Sequence, residues 1–211
     1  MKNQFRKPEG WLGRWTLRKM NQHHAELTDW GLLHVEIPRE GAILDIGCGG
    51  GKTIAKLCAA SEAATVQGLD HSAESVRIAS KTNAKEIAAG RVSIREGSVS
   101  QLPYDADSFD LVTAVETHFF WPNLSGDARE VARVVKPGGS FAIIAEVYRD
   151  PSGAKPVGRF AEDLGMTILT PNEHKELLAG AGFENIQVFT ERLKNWICVL
   201  GQKPQQPPVR S

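Results

Sequence analysis

Ala42-Ile43-Leu44-Asp45-Ile46-Gly47-Cys48-Gly49-Gly50-Gly51-Lys52 is an apolar run that ends in a carboxylate and breaks into glycines. The segment after it, Thr53 to Ala60, carries a helical pattern. The order is therefore strand, tight turn, helix. Glycines let the backbone turn sharply and let a ligand lie against bare peptide groups. The start of the helix adds unpaired N–H groups and a partial positive charge. Further on, Val66-Gln67-Gly68-Leu69-Asp70 repeats the apolar run and ends in a second carboxylate. A carboxylate at that place commonly accepts from a ribose diol. This half of the chain reads as a site for an adenosine-containing cofactor.

Two phosphate-binding patterns fit poorly. The dinucleotide fingerprint G-x-G-x-x-G finds Gly47 and Gly49, but its last place holds Lys52. The span from Gly47 to Lys52 is one residue too short for G-x-x-x-x-G-K. Asp45, at the end of the first strand, also sits badly beside a pyrophosphate. It suits an ammonium group, which S-adenosylmethionine has, together with a sulfonium and no phosphate.

Ile43-Leu44-Asp45-Ile46-Gly47-Cys48-Gly49-Gly50-Gly51 resembles motif I of the class I S-adenosylmethionine-dependent methyltransferases. Further pieces follow in the family's order. Glu96 to Tyr104 is similar to its adenine loop and Ser108 to Val112 to its fourth strand. Arg133 to Gly139 is similar to the turn before its fifth strand. The resemblance covers residues 41–203. In the cofactor half it extends to the branch that includes ubiquinone and menaquinone C-methyltransferases. It implies an α/β, Rossmann-like, doubly wound and mostly parallel sheet, with a C-terminal antiparallel hairpin strand. It also implies S-adenosyl-L-methionine as cofactor and a small-molecule methyl acceptor.

Carried onto this chain, the motifs assign backbone contacts around the methionine end to Gly47 and Gly49. Asp45 would favour the ammonium, with a structural turn cap as its alternative. Asp70 would take the ribose hydroxyls. In the adenine loop, Ser98 stands where many relatives carry an acid, so its contact competes with an ordinary loop role. The N–H of Val99 would bond a ring nitrogen. His71 would cover the adenine face, or simply start a helix in solvent.

Ala114 to Pro122 leaves the fourth strand. In an open parallel sheet, ligands sit outside the carboxyl ends of the strands. If the strand continues, Glu116 and His118 share one side at the active-site mouth. His118 is then the best candidate base, since its ordinary pKa lies near neutrality. Glu116 is a second catalytic candidate, or a ligand for the methionine end. An edge histidine and a capping glutamate are the plain alternatives. Phe119, Phe120 and Trp121 suggest an apolar substrate wall, with at least one of them in the core. Glu146, at the end of the fifth strand, faces the same mouth. His23 or His24 would close on it from an N-terminal flap. His174, in a well-formed helix, is expected at the surface.

The chain has 211 residues, enough for one domain with a sizeable core. It balances 25 basic against 25 acidic residues, so no global field attracts nucleic acid or an anionic membrane. No basic tract with interleaved aromatics appears. No apolar run is long enough to span a membrane, and Met1 to Gly10 lacks an apolar signal core. Cys48, Cys58 and Cys198 show neither zinc nor disulfide spacing. A cytoplasmic protein is expected, its assembly open, with a homodimer among the options.

Residues 1–40 read as a helical lid anchored by Trp11, Trp15 and Trp30, with Gly31 as a C-cap. Residues 41–203 form the cofactor-binding domain. Residues 204–211, rich in proline and glutamine, read as a disordered tail. One helix is expected from Ser72 to Ala89 and a short one near Val157–Leu164. Another starts at Thr170-Pro171-Asn172-Glu173, a threonine cap with proline and a capping-box glutamate. Three functions compete: a small-molecule methyltransferase, a nicotinamide-dependent oxidoreductase, and a non-catalytic protein that keeps the fold to bind the cofactor or a partner.

Overall fold

The computed structural model describes residues 25–153, 161 and 163–205. Its sheet contains β1 (Ala42–Ile46), β2 (Thr65–Asp70), β3 (Val92–Glu96), β4 (Phe109–Val115), β5 (Val135–Ala145), β6 (Glu184–Glu191) and β7 (Trp196–Gln202). The order across it is β3-β2-β1-β4-β5-β7-β6. All pairs from β3 to β5 are parallel, whereas β7 runs antiparallel to both β5 and β6. Ile43, Leu44 and Ile46 of β1 are buried, as are Leu111, Val112 and Ala114 of β4. A central strand covered on both faces has no solvent side, so its apolar residues run consecutively instead of alternating.

The helices are α1 (Ala25–Leu32), α2 (Lys52–Ala60), α3 (Ala73–Thr82), α4 (Ala84–Ala88), α5 (Leu124–Val134) and α6 (Pro171–Gly180). One face of the sheet packs Ile43, Val66 and Ile144 with Leu27 of α1, Ile54 and Leu57 of α2 and Ala79 of α3. The other packs Leu44, Val112, Phe141 and Ile143 with Val131 and Val134 of α5 and Leu178 of α6. Strand order reverses between β1 and β4, and the crevice outside their carboxyl ends is where such sheets bind ligands. Both the glycine turn after β1 and the segment after β4 leave the sheet there.

The expected caps form. Ser72 Oγ accepts from the Ser75 N–H. Thr170 and Glu173 close a reciprocal capping box. The hairpin β6–β7 turns at residues 192–195. Other expectations need correction. The helix from Ser72 is two helices, broken at Asn83. There the side-chain amide donates to the Gly51 carbonyl at 3.0 Å and to the Ala79 carbonyl at 2.9 Å. That tether holds α3 to the turn before α2, a role no local pattern predicts.

Of the expected lid, residues 25–40 are described. α1 is docked on the sheet, with Leu27 buried and the Cys198 thiol 3.6 Å from the Gly31 carbonyl oxygen. Gly31 lies inside α1 and is not its cap. A Cβ built there would stand 2.6 Å from Ile144, so the glycine permits close approach of helix to strand. Trp30 packs against Trp196, with ring centroids 5.8 Å apart. Trp11, Trp15, His23 and His24 lie outside the described residues. So does most of the expected helix at 157–164, of which Ala161 and Asp163 are helical.

The start of the expected tail is also placed. The Lys203 N–H donates to Gly139 O and Lys203 O accepts from the Gly138 N–H, both at 2.8 Å. The Gln205 amide lies against Gly138. Residues 206–211 are outside the described set.

Candidate cofactor and acceptor site

Gly47, Gly49 and Gly51 all take positive φ, at 71°, 51° and 77°. L-residues with a Cβ rarely adopt these conformations, which explains why the turn is built of glycine. The turn is fastened to β2. The N–H groups of Gly47 and Cys48 donate to the Leu69 carbonyl at 2.7 and 3.0 Å. The Gly49 N–H donates to Asp70 Oδ2 at 2.9 Å, and the Ser72 N–H to Asp70 Oδ1 at 2.9 Å. Asp70 therefore joins the end of β2 to both the glycine turn and the start of α3. Each carboxylate oxygen can accept a further bond, so the same group remains able to take hydroxyl donors.

Asp45 is 1% exposed beneath the turn, and Thr113 Oγ1 donates to its Oδ1 at 2.7 Å. Burial raises its carboxyl pKa to about 7; the Thr113 bond opposes that shift and the charge of Asp70 adds to it. A carboxyl held near neutrality in this way ionises readily when a cation arrives beside it. Burial, with the charges of Asp70 and Asp45, pushes the Cys48 thiol well up, so this cysteine is no nucleophile.

Ser98 is exposed, and its hydroxyl oxygen accepts from the Ser100 N–H at 3.2 Å. Val99 turns its side chain into the core beside Leu102. His71 is half exposed, with Nδ1 3.7 Å from Asp70 Oδ1.

The segment after β4 departs from the expected continuing strand. Glu116 takes φ 56°, so the chain bends away at that residue. Its N–H donates to the Ile144 carbonyl at 2.9 Å, and its Oε1 accepts from the Glu146 N–H. Glu116 and Glu146 thus meet where β4 and β5 end, as the sequence suggested, but through a side chain to backbone bond. Thr117 follows and packs against the glycine turn: a Cβ built at Gly47 would stand 2.2 Å from Thr117 Oγ1.

Glu116 and His118 do not share one side of a strand. His118 starts a 3-10 turn, His118–Phe120, and is 1% exposed. Its Nε2 lies 3.0 Å from Nε2 of His174. His174, expected at the surface, is fully buried in the first turn of α6, with Nδ1 2.9 Å from the Thr170 carbonyl oxygen. Burial lowers the pKa of both rings; the neighbouring His174 lowers that of His118 further, while the Thr170 carbonyl and the Glu173 carboxylate oppose the shift at His174. Phe119 and Trp121 belong to the core, Trp121 stacked on Phe141 at 6.2 Å, while Phe120 is half-buried.

The sequence pattern gives no site role to Thr113, Thr117 or Asn83 and puts His174 at the surface. Only Thr113 left a signal, as a lone hydroxyl in the apolar run Leu111-Val112-Thr113-Ala114-Val115. Among the described residues no group of three or more His, Cys, Asp or Glu could hold a metal ion. No described helix is long and apolar enough to cross a membrane.

This strand order, with a glycine turn after β1 and carboxylates ending β1 and β2, defines the methyltransferase class of Rossmann-like folds. Residues 44–143 match the family described as a methyltransferase domain. The chain belongs to the class I S-adenosylmethionine-dependent methyltransferases. It is 31% identical over 153 residues to O-methyltransferase cnsE of Penicillium expansum, a match covering 72% of this chain and 55% of that protein. It is 24% identical over 193 residues to the uncharacterized methyltransferase YdaC of Bacillus subtilis (strain 168), covering 88% and 96%. The fold also matches geranyl diphosphate C-methyltransferase from Streptomyces coelicolor A3(2), solved in complex with Mg2+, geranyl-S-thiolodiphosphate and S-adenosyl-L-homocysteine. That match has TM-score 0.74 and 13% identity, over 85% of this chain and 76% of that one. The chain thus spans little more than half the length of its O-methyltransferase relative.

Proposed function

We propose that this chain binds S-adenosylmethionine at the β1/β4 switch point and transfers its methyl group to a small molecule. The observation that carries the reading is the pair of buried carboxylates, Asp45 and Asp70, on either side of a glycine turn. Two acids close to one turn repel a pyrophosphate and favour a cationic ligand with a diol. Lys52 in place of a third glycine weighs in the same direction, against a nicotinamide dinucleotide.

Asp70 accepts from the ribose hydroxyls while keeping its hold on the Gly49 N–H. Asp45 ionises toward the ammonium. Gly47, Gly49 and the Glu116–Thr117 bend line the methionine end with backbone atoms. His71, Ser98 and Val99 flank the adenine. Once bound, the cofactor supplies an already activated methyl group, so the protein's contribution is alignment of the acceptor with it. Phe120, half-buried after the bend, gives an apolar contact to that acceptor. The acceptor's proton, where it must leave, passes to His118.

Isothermal calorimetry with S-adenosylmethionine, S-adenosylhomocysteine and NAD tests the cofactor. Binding of the first two and none of the third is expected; binding of NAD alone would reverse the reading. A screen of small-molecule acceptors for S-adenosylhomocysteine production then tests transfer, and separates an enzyme from a protein that only binds the cofactor.

A further inference from the structure

Glu130 and Arg133 stand one turn apart on α5 and form a bidentate pair. Arg133 Nε donates to Glu130 Oε2 and Nη2 donates to Oε1, both at 2.8 Å. The Arg133 guanidinium, with help from the Leu102 N–H, holds the Glu130 carboxyl below the usual carboxylate range against the opposing effect of burial. Both groups are therefore charged at neutral pH. A part-exposed pair at this spacing contributes little to a helix by itself. Here it also reaches a different element. Glu130 Oε1 accepts from the Leu102 N–H at 2.9 Å. Arg133 Nη2 donates to the Leu102 carbonyl at 3.2 Å, and Nη1 donates to the Tyr104 carbonyl at 2.9 Å.

The pair thus engages both the donor and the acceptor of one residue, Leu102, as a neighbouring β-strand would. Leu102 lies at the far end of the loop that leaves β3. The near end is fixed as well, since the Gly97 N–H donates to the Asp70 carbonyl at 3.0 Å. Between these anchors the chain turns on itself. The Gln101 N–H donates to the Ser98 carbonyl and the Ser100 N–H to Ser98 Oγ, both at 3.2 Å. Ser98 and Val99, given to the adenine above, therefore lie in a short span held at both ends. Burial of the Val99 and Leu102 side chains sets how deep the loop sits. It does not fix the rotation of the peptide planes, which directional hydrogen bonds do. Arg95 of β3 adds a contact to the same segment, its guanidinium carbon 5.0 Å from the centroid of the Tyr104 ring.

We propose that Glu130 and Arg133 are positioning residues for adenine recognition: by holding Leu102, they make the loop after β3 present the Ser98 hydroxyl oxygen and the Val99 N–H to the base in one fixed orientation. The proposal rests on the methyltransferase reading above. Neither side chain touches the base, so the effect passes through the loop. Adenine offers an amino donor and a ring-nitrogen acceptor on one edge. Hypoxanthine reverses both, with an oxo acceptor and a ring N–H donor. A loop of fixed orientation rejects the reversed pattern because its own polar groups are then left unpaired, whereas a loop free to turn accommodates either base. Arginine suits the task. Its planar fork serves the Glu130 carboxylate and two carbonyls at once, which a lysine ammonium on the same stem cannot do with the same geometry.

Calorimetry on the full chain with S-adenosylhomocysteine, S-inosylhomocysteine and 5′-methylthioadenosine is the test. The wild type should favour S-adenosylhomocysteine over its inosine analogue by at least about tenfold, since two hydrogen bonds are reversed. Arg133→Ala and Glu130→Ala should bring that preference down to about twofold or less by weakening S-adenosylhomocysteine. Their preference for S-adenosylhomocysteine over 5′-methylthioadenosine, which reports the methionine end, should stay at the wild-type value. Glu130→Gln, whose amide oxygen still accepts the Leu102 N–H, should keep most of the base preference. A merely structural role would weaken all three ligands alike and leave both ratios unchanged; that result in folded variants overturns the proposal. A wild type that binds the inosine analogue as tightly as S-adenosylhomocysteine overturns it too. Should Arg133→Ala fail to fold, Arg133→Lys, which keeps the charge and the stem but loses the fork, has the same expected outcome. A wild type that binds no S-adenosylhomocysteine sinks the cofactor reading and this proposal with it, whereas tight binding with an unchanged base preference in the variants sinks this proposal alone.

Discussion

Asp70 Oδ2 accepts the Gly49 N–H at 2.9 Å, so the carboxylate that ends β2 also shapes the turn that follows β1. One side chain holds the loop on which a ligand rests and offers that ligand an acceptor. Substituting it removes both. Asp70→Ala should weaken S-adenosylhomocysteine binding by at least about tenfold, since charge-assisted bonds of roughly 1.5–3 kcal/mol each are lost. Calorimetry on a variant with wild-type circular dichroism is the check. Unchanged affinity would remove Asp70 from the site.

Asp45 gives a pH signature. Its folded-state pKa is raised to about 7 from an ordinary 3.8, so the folded chain holds a proton there that the unfolded chain has released. Its contribution to stability is complete below about pH 4 and declines as pH rises through about 7. Asp45→Asn cannot titrate. Relative to wild type it should therefore gain stability between pH 4 and 7, measured by urea unfolding. Cofactor binding should show the opposite trend. An ammonium favours the ionised carboxyl, so wild-type affinity should rise over that interval more than the variant's, with proton release visible in buffers of different ionisation enthalpy. Parallel pH curves for the two proteins would exclude an Asp45–ammonium contact.

Gly47→Ala meets two obstacles. The residue takes φ 71°, and a Cβ there would stand 2.2 Å from Thr117 Oγ1. The backbone conformation alone costs an L-residue about 1–2 kcal/mol. The variant should lose at least about 1 kcal/mol in urea unfolding and bind S-adenosylhomocysteine poorly. Thr117→Ser should leave the fold intact, and Gly47→Ala combined with Thr117→Gly should recover part of the stability.

Gly31→Ala sets two effects against each other. Alanine is about 1 kcal/mol better than glycine inside a helix. Against that, the new Cβ would lie 2.6 Å from Ile144, a fully buried residue of β5. Overpacking of a filled core costs about 1–3 kcal/mol and should win. The melting temperature should fall by about 2–4 °C for each net kcal/mol. A higher melting temperature would mean that α1 is not docked on β5 and would restore a movable helix.

Residues near one another in the chain were legible before any coordinates. The glycine turn, the carboxylates Asp45 and Asp70, the Ser72 cap and the Thr170–Glu173 box depend on backbone geometry within a few positions, where glycine, aspartate, serine and threonine act through local hydrogen bonds. The alternation of apolar runs with helical stripes implied a parallel sheet for the same reason, because periodicity reports which faces are covered.

Long-range packing decided the rest. His174 carries the pattern of a surface helix, yet it is buried because His118, 56 residues earlier, turns under α6 to meet it. That turn follows from a positive φ at Glu116, a conformation that glutamate does not advertise. Thr113 reaches Asp45 from a neighbouring strand 68 residues away. Asn83 breaks its helix to hold Gly51, and Gly31 serves a contact with Ile144 instead of ending a helix. In each case a side chain's burial and its hydrogen-bond partner lie on another element, so spacing along the chain carries no trace of them. The sequence by itself determined the turn, the caps and the two acids; the packing of strands and helices against one another decided which buried groups meet, and hence where a proton can go.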